Sequence, residues 1–207
     1  MHGPEGDHQV RHWRAGHFYE YGERGVLRWA YDNPQYFERV VDVGACLGNH
    51  SVFFAGELGA KVFAIEPAPA NGEYLKKNLS ANNLWDRVQT RGYLIGPQID
   101  YRLVPPPEGN VGMTRFERAG ADELTKTGHF LAHVIGTFKP TAIKIDAEGM
   151  SLHALIASMG IVTIHRPLVI MEETDRVNLE TADWLLSDHT RLPKVFNATA
   201  THVWIPS

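Results

Sequence analysis

The chain of 207 residues carries 20 lysines and arginines against 24 aspartates and glutamates, a net charge of -4, which argues against a generic polyanion binder built on a basic face. A hydrophobic fraction of 43% beside 21% charged residues belongs to a globular protein able to bury one sizeable core. No apolar run reaches the roughly 20 residues of a membrane span, the polar start lacks the apolar core of a signal peptide, and the single cysteine, Cys46, excludes an intramolecular disulfide; a cytoplasmic location is expected.

Residues 1–38 read as an N-terminal extension. Met1 to about Gly16 is polar and loose, with His2, His8 and His12 scattered among charges. From Tyr19 to Tyr36 the placement of Tyr21, Val26, Leu27, Trp29, Ala30 and Tyr31 predicts a helical lid that stops near Asn33-Pro34. The tryptophans read as core or lid residues before substrate platforms, and Trp29, near the lid, is the first to test as a platform.

Residues 39–207 read as the main domain. Val40, Val41 and Val43 make a buried strand, and Gly44 and Gly48 then let the backbone turn tightly before a helix begins at about Asn49 and runs to Leu58. A second strand covers Lys61 to Glu66, and a helix follows from Asn71 to Asn82 with Tyr74, Leu75 and Leu79 inward. Val88 to Ile95 is the third strand. Tyr101–Val104 with Met113–Phe116 forms a hairpin or excursion around Pro105-Pro106-Pro107 and Gly109-Asn110, facing the substrate. Asp122 to Gly136 reads as a helix, Ala142 to Asp146 as a buried strand, Ser151 to Met159 as a helix and Pro167 to Glu172 as a fifth strand. In the tail, Trp184, Leu185 and Leu186 mark a helix, and Lys194–Ala198 with His202–Ile205 read as strands closing the sheet as an antiparallel pair. Strands alternating with helices predict an α/β three-layer sandwich with a mostly parallel sheet.

The glycine turn and the acid after it carry the first chemical signal. A carboxylate about twenty residues beyond such a turn, here Glu66, is where a doubly wound sheet holds the two hydroxyls of an adenosyl ribose. A dinucleotide turn needs G-x-G-x-x-G, yet Cys46 and Leu47 fill the space between Gly44 and Gly48, and Asn49 to Ser51 offer no third glycine. The D-x-G-x-x-x-G pattern suits S-adenosylmethionine (SAM) better, since that ligand has no phosphate to seat.

The second signal is I-K-I-D-A-E-G from Ile143 to Gly149, which puts Lys144, Asp146 and Glu148 at the carboxyl end of an apolar strand, the edge where open α/β sheets bind ligands. Charges buried there must pair, so the string marks a functional cluster or a compensated structural ion pair. Glu172 and Glu173 stand at the next strand tip. His129 and His133 fall four apart on the predicted helix but have no third ligand, and no metal is expected.

Taken together, D-V-G-A-C-L-G-N-H-S, the E-P after the second strand, K-N-L-S-A-N-N-L, N-V-G at Asn110–Gly112, I-K-I-D-A-E-G and R-P-L-V-I-M-E-E resemble the FkbM family of SAM-dependent methyltransferases over about Val40 to Glu172. The resemblance implies a Rossmann-like seven-stranded sheet of order 3-2-1-4-5-7-6 with an antiparallel C-terminal strand, and methyl transfer to a hydroxyl of a sugar or other small metabolite. It places Asp42, Gly44, Ala45, Gly48, Asn49 and His50 at the methionine end of SAM, Glu66 on the ribose, and Pro67 and Ala68 beside the adenine. Asn110, Gly112 and Glu172 would face the substrate. Asp146 or Glu148 would take the proton, with Lys144 holding a carboxylate or a developing alkoxide. The sequence departs from the family at Cys46-Leu47 and at Met150-Ser151, where a further acid is usual.

Three other readings are weighed. An RNA methyltransferase would carry an Asn-Pro-Pro-like motif where this chain has Asp146-Ala147-Glu148-Gly149, and the charge makes a nucleic-acid substrate unfavourable. An NAD-dependent oxidoreductase would need a pyrophosphate turn and a hydride-transfer pair. A non-catalytic nucleoside-cofactor module would keep Glu66 and the glycine turn but tolerate loss of Asp146 and Glu148. The expected partner is a small-molecule or glycan substrate; the sequence gives no sign of oligomeric state.

Overall fold

In the computed structural model of the chain, residues 24–106, 113–120, 125–197 and 199–207 are described. The polar N-terminal stretch, the beginning of the expected lid helix, and Asn110 and Gly112 lie outside them. The described chain runs α1 (Arg24–Asp32), β1 (Arg39–Val43), α2 (Asn49–Gly56), β2 (Lys61–Ile65), α3 (Pro69–Ala81) and β3 (Val88–Arg91). Four short strands follow, β4 (Leu94–Ile95), β5 (Asp100–Val104), β6 (Arg115–Arg118) and β7 (Thr125–His129), then α4 (Leu131–Ile135). The remainder is β8 (Ala142–Ile145), α5 (Ser151–His165), β9 (Leu168–Glu172), α6 (Arg176–Leu185), β10 (His189–Arg191) and β11 (Thr201–Pro206).

Successive strand residues divide between two apolar layers, as the period of two requires. Val40, Val62, Ala64, Val88, Ala142, Leu168 and Val203 pack with α1, α2 and α3, and Phe37 and Phe196 join them. Val41, Val43, Phe63, Ile65, Ile143, Ile145, Val169 and Trp204 pack on the other face with α4, α5 and α6. β1, β2, β8 and β9 read as nearly continuous apolar runs because helices cover both sides. Trp29 stacks on Tyr36 at 6.1 Å and meets Phe37 and Phe196 at about 6 Å. It belongs to the first core layer, in keeping with the reading of the tryptophans as core or lid residues.

The large sheet is mixed, with order β10-β11-β9-β8-β1-β2-β3. β1, β2, β3, β8 and β9 are parallel, and β11 runs antiparallel between β9 and β10. The chain numbering departs from 3-2-1-4-5-7-6 because β4 to β7 leave this sheet and form a second one, of order β4-β7-β5-β6; counted within the large sheet alone, its strands run 3-2-1-4-5-7-6.

That second sheet overturns two expectations. Val88–Ile95 is not one strand: after Arg91 the chain leaves β2 and pairs Leu94 and Ile95 with Gly128 and His129. Asp122–Gly136 is not one helix, since Thr125–His129 is a strand and, among its described residues, only Leu131–Ile135 is helical. Thr125 and Thr127 favour the extended chain, and a β-carbon at Gly128 would lie 2.0 Å from the Pro97 carbonyl oxygen, so glycine is there for a close backbone crossing. His129 and His133 consequently sit on different elements. In the tail, where a strand is expected over Lys194–Ala198, the described residues 194–197 form only a bridge from Phe196 to Thr201, because Asn197 and Ala200 adopt left-handed conformations that reverse the chain; Ala198 lies outside the described residues. β10 takes the edge position instead. Among the described residues no helix is long and apolar enough to cross a membrane.

Candidate active site

The carboxyl ends of β1, β2, β8 and β9 meet along one edge of the large sheet. Gly44 leaves β1 with φ +76°, and a β-carbon on it would lie 1.8 Å from the carbonyl oxygen of Asp146. Only glycine lets the two segments pass this closely. The amides of Gly44 and Ala45 both donate to the Ile65 carbonyl at 3.0 Å, which fastens the turn to the tip of β2. Gly48, at φ +90°, precedes the first residue of α2, Asn49, which is exposed.

Glu66 follows β2 and is 7% exposed. Its Oε2 accepts the Cys46 amide at 2.8 Å and its Oε1 the Ala68 amide at 2.7 Å. Burial raises its pKa above the ordinary 4.5 against the opposing pull of those amides. Each oxygen retains a lone pair for another donor. The Cys46 thiol is pushed up to about 12 by burial and then by Glu66, so it remains protonated at neutral pH.

Asp42 and Lys144 are register partners in β1 and β8. Asp42 is wholly buried; its Oδ2 accepts the Ser51 hydroxyl at 2.7 Å and its Oδ1 lies 3.3 Å from the Lys144 ammonium. Lys144 also donates to the Gly44 carbonyl at 3.1 Å and stands 3.3 Å from Asp146 Oδ2. Two carboxylates and a carbonyl around one ammonium make its burial tolerable. Asp146 is anchored through its own amide, which donates to the Val43 carbonyl at 3.1 Å.

Two clefts open on either side of Asp146. The first is walled by Gly44, Cys46, Glu66 and Pro67, by Tyr93, Leu94, Phe116 and Met150, and by Asp146 and Glu148. The second is walled by His50, Phe54, Lys144, Asp146 and Glu172, with Val26, Leu27 and Ala30 of α1 and Asn197 opposite. Asp146 alone lines both. Glu148 is exposed, yet desolvation of its carboxyl at the cleft wall and then Asp146 raise its pKa, against the pull of Lys144.

The residues expected at the site thus fall into four groups. Gly44, Glu66, Pro67, Asp146 and Glu148 line the first cleft, and His50, Lys144 and Glu172 the second. Asp42, Ala45 and Ala68 are buried behind them, and Gly48 and Asn49 form the start of α2.

Sequence reasoning missed several participants. Ser51 was readable as the one hydroxyl of α2, just ahead of its apolar run Val52–Ala55. Lys126 donates to the carbonyls of Pro67 at 2.6 Å and Gly92 at 2.7 Å, which ties β7 to the cleft residue Pro67, and Leu94, Phe116 and Met150 form an apolar cluster with Tyr101. The antiparallel pairing of β5 with β6 follows the hairpin expected at Tyr101–Val104 and Met113–Phe116, but no local pattern announced that β7 pairs with β4 and β5. Asn197 Oδ1 accepts the amides of Gly25 at 3.0 Å and Val26 at 3.2 Å, holding α1 beside the second cleft.

A methyltransferase FkbM domain model matches residues 42–193. Among solved structures the chain is similar to methyltransferase FkbM from Methylobacillus flagellatus KT, at 22% identity and TM-score 0.57 over 81% of this chain and 43% of that one. The chain thus spans less than half the length of that protein. A methyltransferase from Geobacter sulfurreducens aligns at 16% identity and TM-score 0.52, over 88% of this chain and 80% of that one. Ribosomal protein L11 methylase from Lactobacillus delbrueckii subsp. bulgaricus aligns at 16% identity and TM-score 0.51, over 86% and 74%. At these identities the likeness is one of fold. No curated protein matches.

Proposed function

The chain belongs to the methyltransferase FkbM domain family, and from that membership we propose that it transfers a methyl group from SAM to a hydroxyl oxygen of a sugar or other small metabolite, in the cytoplasm. The observation that carries the reading is the convergence of the Gly44 turn, Glu66 and Asp146 on one cleft. A turn in which a side chain would collide with the backbone and an acid that still has lone pairs beside it fit a nucleoside ligand held through its ribose.

SAM, when bound, supplies an electrophilic methyl group on a sulfonium. The residues of this chain do the rest. Glu66 binds the sugar hydroxyls while its amide contacts to Cys46 and Ala68 keep the carboxylate oriented. Pro67, Tyr93, Leu94 and Phe116 exclude water around the base. Gly44, Gly48, Asn49 and His50 border the methionine end; Asp42, buried, braces the turn through Ser51 and Lys144. An alcohol must lose its proton as it attacks. Of the two acids, Glu148 is the better acceptor because its pKa is raised, whereas Asp146, held by Lys144, orients the acceptor where the clefts meet. Glu172 faces the acceptor from β9.

Calorimetric titration tests the cofactor: S-adenosylhomocysteine should bind and NAD should not, and the reverse result would overturn the reading. Transfer of labelled methyl from SAM, screened over glycans and small alcohols, should then depend on Glu148 and Asp146. Undiminished transfer in both Glu148→Ala and Asp146→Ala would remove their assigned roles.

A further inference from the structure

Ser51 is wholly buried in the first turn of α2. A serine there commonly bonds its own helix backbone, yet this one donates to Asp42 Oδ2 at 2.7 Å, nine residues back on β1. Asp42 lines neither cleft, and its ion-pair contact with the site is Lys144, 3.3 Å from its other oxygen. The Lys144 ammonium in turn touches two functional points, the carbonyl of Gly44 in the glycine turn at 3.1 Å and Asp146 Oδ2 at 3.3 Å. An ion pair serving stability alone needs Asp42 and Lys144; it does not need an ammonium that also reaches the cofactor turn on one side and the residue shared by both clefts on the other.

We infer that Ser51 and Asp42 are positioning residues that seat Lys144 as a bridge between the glycine turn and Asp146, so that occupation of the turn is transmitted to the carboxylate at the junction of the clefts. This rests on the proposal that the turn binds SAM. Ser51 fixes the rotamer of Asp42; Asp42 fixes the ammonium; the ammonium carries any displacement of the Gly44 carbonyl to Asp146. Neither Ser51 nor Asp42 touches the reacting atoms.

The test is the Nζ–H resonance of Lys144 in the full chain labelled with 15N-lysine, assigned by its absence from Lys144→Arg. Three changes are expected. S-adenosylhomocysteine should shift the resonance; Ser51→Ala should speed its proton exchange about tenfold in the unliganded protein, as loss of a hydrogen bond to a charged group would; and Ser51→Thr should exchange as the parent does. A resonance unmoved by bound S-adenosylhomocysteine, an unchanged exchange rate in Ser51→Ala, or a Ser51→Thr variant as fast as Ser51→Ala would overturn the inference. Should Ser51→Ala fail to fold, Asp42→Asn of the same size must show the faster exchange, and an unchanged rate there overturns it equally. Calorimetry keeps the two readings apart: absent binding of S-adenosylhomocysteine counts against SAM, while the exchange rates in unliganded protein still decide whether Ser51 and Asp42 seat Lys144.

Discussion

The α-carbon of Gly44 faces the carbonyl oxygen of Asp146 so closely that an added β-carbon would stand 1.8 Å from it. The glycine turn and the β8 tip are therefore packed backbone against backbone. Gly44→Ala must displace that backbone and strain a φ of +76°. We expect a loss of about 2–4 kcal/mol in stability, read by urea unfolding, with S-adenosylhomocysteine binding lost in calorimetry. A variant of parental stability and affinity would show that the crossing is looser than this geometry.

Lys144 lies between two acids, of which Asp42 is wholly buried. Lys144→Met fills nearly the same volume but leaves Asp42 with its charge opposed only by the Ser51 hydroxyl. The expected cost is about 3–5 kcal/mol. Adding Asp42→Asn to it should recover part of that loss, because the orphaned charge is then gone. A double-mutant cycle in chemical denaturation measures this, and a double variant weaker than Lys144→Met alone would contradict it.

How far the sequence revealed this arrangement depended on whether the signal was local. The runs Val40–Val43 and Ile143–Ile145, alternating with apolar helices, announced the large sheet because burial on both faces makes every position but Asp42 and Lys144 apolar. Gly44, Glu66 and the Lys144-Asp146-Glu148 string were legible because strand tips collect ligand groups in any open α/β sheet. Less was visible where structure depends on distant pairing. Thr125–His129 is held extended by β4 and β5 on either side, whereas the apolar residues around it read as helical by spacing alone. The partners of Asp42 were hidden for the same reason: Ser51 and Lys144 come together across nine and 102 residues of chain.

Glu66 gives the fold a pH dependence of definite sign. Its pKa in the folded chain is raised above 4.5, chiefly by burial, so the folded state holds the proton longer than the unfolded one. Its contribution is greatest below 4.5 and is lost as pH rises through the folded value. Glu66→Gln removes this slope. In denaturant melts across the acidic range, the parent should lose stability relative to Glu66→Gln as pH climbs past 4.5; parallel curves would refute it. At neutral pH the glutamine also points an N–H at the Cys46 or Ala68 amide, at a cost of about 1–3 kcal/mol.

Asn197 secures α1 from the far end of the chain. Its Oδ1 takes the first amides of the helix, Gly25 and Val26, and its Nδ2 donates to Thr201 at 3.0 Å. Helix N-termini leave such amides without intrahelical partners, and an oxygen supplied by a side chain is worth about 0.5–2 kcal/mol. Asn197→Gly retains the left-handed backbone at φ +62° but deletes the amide group, so the effect of the cap is isolated from that of the turn. Hydrogen exchange should then show faster labelling at Gly25 and Val26, spreading through α1 but sparing β8 and β9. Uniform loss of protection over the whole protein would mean that α1 unfolds only with the core it packs on, and exchange as slow as the parent's would mean that Val26, Leu27 and Ala30 hold the helix by burial alone.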